Sequence, residues 1–160
     1  MLRYAETAIV FQEVPGEISL AVNICGCPCR CPGCHSPHLQ KNDGEELTDK
    51  RLEELVNRHD GISCVCFMGG DSDPEEIFRL ARLLKERWPH LKTCWYSGRE
   101  MNTQTRYECL DYVKFGPFIE EKGPLSSPNT NQHFYKVCRE KDGKSHLIDI
   151  TDLFQDRQKL

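Results

Sequence analysis

Residues 18–34 read ISLAVNICGCPCRCPGC, an apolar segment that leads directly into a loop with five cysteines. Residues 18–24 have the length and composition of a strand. The glycines and prolines that follow are poorly tolerated inside a helix or a strand, so residues 25–34 are predicted to form a loop. Five thiols in such a loop are hard to explain as core residues, which makes metal binding the default interpretation. The five are Cys25, Cys27, Cys29, Cys31 and Cys34.

One set of three among the ten cysteines has successive intervals of four and three residues, namely Cys27, Cys31 and Cys34. A compact loop can wrap three thiolates around a 4Fe-4S cube, a cluster that cysteine thiolates hold in proteins. Three ligands for four irons leave one iron free to bind another molecule, as catalytic metal sites do. The spacing assigns no role to Cys25 and Cys29, which could be inert, alternative ligands or redox partners.

Outward from the loop, strands and helices alternate along the chain. Apolar residues at helical spacing, with capping residues in front of them, predict helices. Short apolar runs between glycine turns predict strands. The helices are predicted at 48–58, 73–88 and 100–109, and the strands at 62–68, 92–96 and 111–115. A strand at 8–14 is predicted before the turn at Pro15-Gly16, and a hairpin at 132–139 and 145–150.

This alternation predicts an α/β fold with parallel strands joined by helical crossovers. A complete (β/α)8 barrel typically needs about 200 to 250 residues, and this chain has 160. We therefore expect an incomplete, TIM-like barrel of parallel βα units with a C-terminal hairpin. A single domain is predicted over residues 1–160, with a core at about 18–117 and an extension at about 118–160.

In parallel α/β folds, ligands bind beyond the carboxyl ends of the strands. The same edge should carry the cysteine loop, the Gly69-Gly70-Asp71 turn after the second predicted parallel strand, and the Ser97-Gly98 turn after the third. Glycines would allow the backbone to approach a ligand closely, and Asp71 could accept hydrogen bonds from an ammonium group. Lys114, near the end of the last parallel strand, could face a cofactor or solvent.

Composition excludes several classes of protein. The 21 Lys and Arg against 25 Asp and Glu give a net charge of −4 without a basic block, so nucleic acid is not expected as a partner. No apolar run approaches the roughly 18 residues of a membrane span. Residues 1–6 lack the apolar region of a signal peptide, which predicts a cytoplasmic protein with reduced thiols. The remaining cysteines are expected to pack as small apolar residues: Cys64, Cys66, Cys94, Cys109 and Cys138.

The cysteine loop, followed by Phe67-Met68-Gly69-Gly70-Asp71, resembles the radical S-adenosylmethionine family. Three later segments make the chain similar, more narrowly, to the activating proteins of anaerobic ribonucleotide reductases: residues 93–98, 111–118 and 130–135. The resemblance covers roughly residues 20–137. It departs from the family pattern at Gly33, where an aromatic residue is common, and at Asp71, where glutamate is common.

The resemblance implies a mechanism. Cys27, Cys31 and Cys34 would hold a 4Fe-4S cluster whose open iron binds S-adenosylmethionine. Gly69, Gly70 and Asp71 would meet the amino end of that cofactor, with Ser97 as a further contact to its methionyl or ribose part. The cluster and cofactor would carry the chemistry without a separate catalytic side chain. The implied partners are a large glycyl-radical protein, anaerobic ribonucleotide reductase, and a reduced flavodoxin-like or ferredoxin-like electron donor.

Several alternatives remain open. The chain could activate another glycyl-radical enzyme or act on a small molecule by radical chemistry. It could instead be a non-catalytic module that binds zinc, through four of the five clustered cysteines or through cysteines with His35 and His38. It could also be an electron carrier in which Cys25 or Cys29 is a fourth cluster ligand. Cys31-Pro32-Gly33-Cys34-His35 also matches the attachment sequence of a c-type haem, which would leave Cys27 unexplained.

Overall fold

The computed structural model of the chain describes residues 1–155, so the predicted domain of residues 1–160 includes a segment, 156–160, outside the described part. The strands are β1 (Arg3–Val10), β2 (Ser19–Ile24), β3 (Glu45–Glu46), β4 (Cys64–Met68), β5 (Lys92–Tyr96), β6 (Tyr112–Phe115), β7 (His133–Arg139) and β8 (Ser145–Asp149). The α-helices are α1 (Asp49–Asn57), α2 (Pro74–Arg87) and α3 (Asp152–Gln155), and a 3₁₀ turn covers Pro37–Gln40. Across residues 1–155, no helix has the length and apolar character that crossing a membrane requires.

The eight strands form one mixed sheet in the order β3-β1-β2-β4-β5-β6-β7-β8. The four central strands, β2, β4, β5 and β6, run parallel to one another. The flanking strands pair antiparallel. Within residues 1–155 the sheet is open, with β3 and β8 at its edges. The expected hairpin is formed by β7 and β8 and extends this same sheet. The barrel-like arrangement of the βα units stays a prediction.

The first two predicted helices are present with their predicted capping residues. The Thr48 hydroxyl accepts a hydrogen bond from the Arg51 N–H at 3.1 Å and starts α1. The Asp73 carboxylate accepts from the Glu76 N–H at 3.2 Å, and Pro74 is the first residue of α2. Because α1 lies between β2 and β4 and α2 lies between β4 and β5, two of the three parallel connections contain a helix.

The third connection contains no α-helix, so the helix predicted over residues 100–109 is wrong. Side chains in this segment bond to nearby backbone instead. The Asn102 carbonyl oxygen Oδ1 accepts from the Gln104 N–H at 2.9 Å, and Thr105 Oγ1 accepts from the Asn102 N–H at 2.9 Å. Such local bonds compete with the helical ladder. The segment therefore forms turns between β5 and β6.

The first strand is also displaced from its predicted position, because β1 covers Arg3–Val10 and the prediction was residues 8–14. Residues 11–14 leave the sheet and fold over one of its faces. Val14 is fully buried there, and the Tyr96 hydroxyl donates a hydrogen bond to the Glu13 carbonyl. The strand therefore ends at Val10, and Val14 packs against the sheet instead of extending it.

The two faces of the sheet have separate cores. We call the side covered by α1 and α2 the helix face; its central row is Val22, Phe67, Trp95 and Val113. We call the other side the thiol face, since three fully buried cysteines lie on it: Cys64, Cys66 and Cys94. The prediction that these three pack as small apolar residues is confirmed. Irregular segments and α3 cover the thiol face through Val14, Leu125 and Phe154.

Asp111, immediately before β6, links three parts of the fold and should contribute to stability. Its carboxylate accepts from Lys85 Nζ at 2.9 Å, from the Thr93 N–H at 2.9 Å and from Arg139 at 3.2 Å. Burial raises the pKa of Asp111, but these donors outweigh it and hold that pKa below its ordinary value. Losing charge-assisted hydrogen bonds at such a partly buried carboxylate typically costs about 1.5–3 kcal/mol. We expect Asp111→Ala to lower the free energy of unfolding by about that amount at pH 7.

The lowered pKa of Asp111 also determines how the stability loss in Asp111→Ala depends on pH. A carboxyl whose pKa is lower in the folded state contributes stability above its unfolded pKa of about 3.9, and the contribution is lost as the pH falls through the folded value. Urea unfolding of wild type and Asp111→Ala should therefore give curves that converge below about pH 4. Asp142→Ala, at a half-exposed carboxylate in the β7–β8 turn, is the control. Equal stability of Asp111→Ala and wild type at pH 7 would contradict the prediction.

Candidate metal centre

The parallel strands end along one edge of the sheet, where they present a row of side chains on the thiol face. Neighbours in register along that row are Asn23, Met68, Tyr96 and Lys114. Each of the first three strands then continues into a segment identified in the sequence. β2 leads into the cysteine loop, β4 into the Gly69 turn, and β5 into the Ser97 turn. The three segments thus begin at the same edge.

Three cysteines of the loop line one pocket at this edge. Cys27, Cys31 and Cys34 border a cavity of about 170 Å³, together with Gly69 and Tyr96. All three cysteine residues are partly exposed. The sequence prediction grouped these cysteines with the glycine turn, and the pocket contains both. Gly70, Asp71 and Ser97 are not part of its lining.

Backbone hydrogen bonds define the shape of the cysteine loop. The Cys27 N–H donates to the Leu39 carbonyl at 3.0 Å, which joins the loop to the 3₁₀ turn. The Cys34 N–H donates to the Cys31 carbonyl at 3.1 Å and closes a tight turn between these two thiols. Arg30 has a φ of 46°, in the left-handed region that non-glycine residues rarely adopt. The left-handed residue thus lies between the first and second predicted ligands.

Gly69 and Gly70 occupy backbone conformations that require glycine, with φ values of 99° and 100°. The Gly69 N–H donates to the Tyr96 carbonyl at 3.0 Å, and the Gly69 carbonyl accepts from the Trp95 indole N–H at 2.9 Å. These two bonds fix the turn against β5. A Cβ at position 70 would lie 2.6 Å from Cδ1 of the buried Ile77. The double glycine therefore permits both the backbone turn and close packing against α2.

Replacing Gly70 with alanine should destabilise the fold, both through the backbone conformation and through the contact with Ile77. The positive φ alone costs roughly 1–2 kcal/mol for an alanine, and the contact with Ile77 forces a shift in a packed core that typically adds about 1–3 kcal/mol. Gly61→Ala is a matched control, because Gly61 has a φ of 83° and nothing within 4 Å of an added Cβ. We expect Gly70→Ala to lower the free energy of unfolding about twice as much as Gly61→Ala in urea titrations. Equal losses would show that the Ile77 contact has no energetic weight.

Asp71 lies behind the pocket and is 1% exposed. Its Oδ1 accepts a hydrogen bond from the Ser97 hydroxyl at 2.5 Å, and its Oδ2 accepts from the Gly98 N–H at 2.9 Å. Arg99 donates to the Asp71 backbone carbonyl at 2.6 Å. The predicted partners Asp71 and Ser97 are thus brought together, but they bond to each other. Ser97 is itself fully buried.

The two unassigned cysteines of the loop have different surroundings. Cys25 is 2% exposed and packs against the backbone near Gly44, away from the pocket. Cys29 lies with its Sγ 3.6 Å from Asp71 Oδ2. Burial, followed by the charge of Asp71, raises the pKa of the Cys29 thiol to about 12. Neither residue lines the pocket that Cys27 shares with the other two thiols.

Lys114 is buried, with 7% of its surface exposed, so the expectation of a solvated lysine is wrong. Its Nζ donates to the Ser97 carbonyl at 3.2 Å and to the Gly116 carbonyl at 2.6 Å. Burial lowers the pKa of Lys114 to about 8, and the charge of Asp71 is the largest influence in the opposite direction. The sequence signal for this burial was the position of Lys114 inside a strand whose neighbours on both sides are apolar.

Gly33 contacts an aromatic residue from another segment. A Cβ at Gly33 would lie 3.3 Å from Glu120 Oε2 and 3.5 Å from the Phe118 ring. The Phe118 ring also packs against His35, with centroids 5.1 Å apart. Residues 118–120 therefore cover the C-terminal part of the cysteine loop, and glycine at position 33 leaves space for them.

The donor set fits an iron–sulfur cluster. Three thiols border one cavity, and thiolates are the ligands that such clusters use. A zinc ion requires its ligands to converge on one point at about 2.0–2.3 Å. Within residues 1–155, no group of three or more His, Cys, Asp or Glu side chains is arranged to hold a metal ion. A four-iron cube binds each thiolate at a separate iron, so its ligands do not have to converge on one point.

Sequence reasoning missed several residues around the site. Met68 and Tyr96 line both the cysteine pocket and a larger neighbouring groove of about 650 Å³, which also contacts His35. Their place at the ends of β4 and β5 could have indicated this role. The far side of the groove comes from segments outside the βα pattern: Gln12, Glu13, Pro124, Leu125, Ser126, Gln132 and Phe154.

Comparison with known proteins gives one match. A sequence model of the family described as "4Fe-4S single cluster domain" matches residues 15–134. The matched region begins before β2 and ends in β7, so it includes the cysteine loop, the Gly69 turn and the Ser97 turn. No curated protein matches the chain, and no solved structure matches it.

Proposed function

The chain belongs to the family of 4Fe-4S single cluster domains, and from this membership we propose that it is a radical S-adenosylmethionine activase. In this proposal the protein cleaves S-adenosylmethionine reductively and generates a glycyl radical on an anaerobic ribonucleotide reductase. The observation that carries the proposal is the shared pocket of Cys27, Cys31, Cys34 and Gly69 at the carboxyl edge of the parallel strands. That edge is where α/β folds bind their ligands.

Cys27, Cys31 and Cys34 would hold three of the four irons, so that one iron stays available for the amino and carboxylate groups of S-adenosylmethionine. When bound, the cluster would supply one-electron chemistry, passing an electron from the external donor protein to the sulfonium so that it could split into methionine and a 5′-deoxyadenosyl radical. The protein provides the orientation. Gly69 borders the pocket, and its carbonyl has a second lone pair available for an ammonium group beyond the bond from Trp95.

Asp71, Gly70 and Ser97 act one layer behind Gly69 in this proposal. The buried Asp71 carboxylate holds the Gly69–Asp71 turn in place by accepting hydrogen bonds from Ser97 and Gly98. This turn positions the Gly69 carbonyl, so Asp71 contributes indirectly to binding of the cofactor amino end. Lys114 donates to the Ser97 carbonyl and so supports the adjoining Ser97 turn from the thiol face.

The groove beside the pocket supports the proposal that the substrate is a polypeptide. The groove of about 650 Å³ adjoins the pocket through Met68 and Tyr96, so a segment bound there would lie next to the site of radical formation. A glycine in an extended segment needs little width and exposes its Cα hydrogen. Electrons would come from a reduced flavodoxin-like or ferredoxin-like protein.

The first test is anaerobic reconstitution of the chain with iron and sulfide, followed by dithionite and S-adenosylmethionine. About four irons per chain and formation of 5′-deoxyadenosine would support the proposal. About four irons without cleavage would leave a binding or electron-transfer module. Zinc in place of iron, in a colourless and air-stable protein, would overturn the assignment of the cysteine loop.

The partner is tested separately, because cofactor cleavage alone does not identify it. The reconstituted protein is mixed with a purified anaerobic ribonucleotide reductase, and the glycyl radical is detected by electron paramagnetic resonance. A radical on this reductase, and none on a different glycyl-radical enzyme, is the expected result. A radical only on the second enzyme would reassign the partner, and cleavage without either radical would favour a small-molecule substrate.

A further inference from the structure

Cys29 lies between two cysteines of the pocket, and besides the neighbouring Cys27 side chain it contacts a group that does not line the pocket. Its Sγ lies 3.6 Å from Oδ2 of Asp71, a carboxylate that is 1% exposed. The next residue, Arg30, has a left-handed backbone conformation. The Cys29 thiol reaches the layer behind the pocket, where Asp71 holds the glycine turn.

The space around Cys29 is closely filled. A Cβ added to Gly98 would lie 2.8 Å from Cys29 Sγ and 3.2 Å from Cys29 Cβ. The Gly98 N–H donates to the same Asp71 oxygen that Cys29 contacts. Cys29 is thus packed between the turn after β4 and the turn after β5, with a polar contact to the first and van der Waals contact with the second.

We propose that Cys29 is a positioning residue that acts through Asp71 to hold the cysteine loop in register with the Gly69–Asp71 turn, and that it is not a fourth cluster ligand. The cysteine loop would hold the cluster and the glycine turn would contact the cofactor, so their relative position sets the cofactor geometry. This consequence for the cofactor rests on the proposed function. The contact between Cys29 and Asp71, which we call the tether, belongs to the polypeptide and can be measured without iron.

The tether is tested first by hydrogen exchange on the metal-free chain. Cys29→Ala should increase exchange of amides in residues 27–34 and of the Gly98 amide, and Cys29→Ser, which keeps a hydrogen-bond donor, should restore most of the protection. Cys138→Ala, at a partly buried thiol on β7, should leave both regions unchanged. Unchanged exchange in Cys29→Ala would overturn the tether, whether or not the chain cleaves S-adenosylmethionine.

The consequence for the cofactor is tested on reconstituted protein. Cys29→Ala should keep about four irons per chain and raise the KM for S-adenosylmethionine by about fivefold, the effect of losing one weak hydrogen bond. Cys29→Ser should return the KM close to the wild-type value. Iron loss in both variants would make Cys29 a ligand and overturn the proposal. Failure of wild type to cleave the cofactor, with the exchange result intact, would reject the proposed function and keep the tether.

Discussion

Cys31→Ala should yield a folded chain that retains little iron after anaerobic reconstitution and forms no 5′-deoxyadenosine. Cys31 is partly exposed and belongs to neither buried core, so its removal should leave the sheet intact. With three thiols around the pocket, loss of one leaves two ligands for a cluster that needs at least three to stay bound as proposed. The measurements are iron and sulfide per chain, with circular dichroism to show that the fold persists.

The matched control is Cys138→Ala, which removes a partly buried thiol from β7, outside the cysteine loop. It should retain the wild-type iron content and rate of cofactor cleavage. Cys27→Ala and Cys34→Ala should behave like Cys31→Ala. Full cleavage activity in Cys31→Ala would end the cluster assignment, and iron loss in Cys138→Ala as well would point to general instability of the reconstituted protein.

Asp71→Ala should damage both stability and cofactor binding. The substitution leaves the fully buried Ser97 hydroxyl and the partly buried Gly98 N–H without their acceptor. Each buried donor without a partner costs about 1–3 kcal/mol, so we expect a loss of roughly 3 kcal/mol in the free energy of unfolding. Because the glycine turn loses its anchor, cofactor cleavage should fall by about a hundredfold.

Asp71→Asn keeps the shape of the side chain and removes its negative charge. The asparagine oxygen can still accept from Gly98, and the Ser97 hydroxyl can rotate to accept from the new amide, so the fold should be largely kept. The variant nevertheless removes the charge that most favours protonated Lys114. Asp60→Ala, at an exposed carboxylate before β4, is the control for urea unfolding and for activity. Wild-type stability and cleavage in Asp71→Ala would contradict the anchoring role.

Much of the fold was predictable because local signals agreed with tertiary structure. The caps at Thr48 and Asp73 determine where α1 and α2 begin, and strands β4 to β8 follow the apolar runs. The failures occurred where another interaction dominates. Residues 100–109 have apolar and charged residues compatible with a helix, but the Asn102 and Thr105 side chains satisfy local backbone groups in turns.

The candidate site was predictable to the level of its segments. Cysteine spacing identified Cys27, Cys31 and Cys34, and strand order predicted that Gly69 would lie beside them, as the pocket shows. Burial of the Asp71 carboxylate was not predictable, because it depends on Ser97 and Gly98 arriving from the next strand. Cysteine spacing also does not show which way a side chain points, so the contact of Cys29 with Asp71 was not predictable from the sequence.

The order of strands in the sheet bears on how the protein is made. From β5 to β8, every strand pairs with the strand that precedes it in sequence. The sheet can therefore grow by addition of one strand at a time as the chain leaves the ribosome, with the amino-terminal part forming first. The cysteine loop lies between β2 and β4, whereas Leu125 and Phe154, which cover the thiol face, are synthesised later. The thiol face therefore stays uncovered until those later segments have been synthesised.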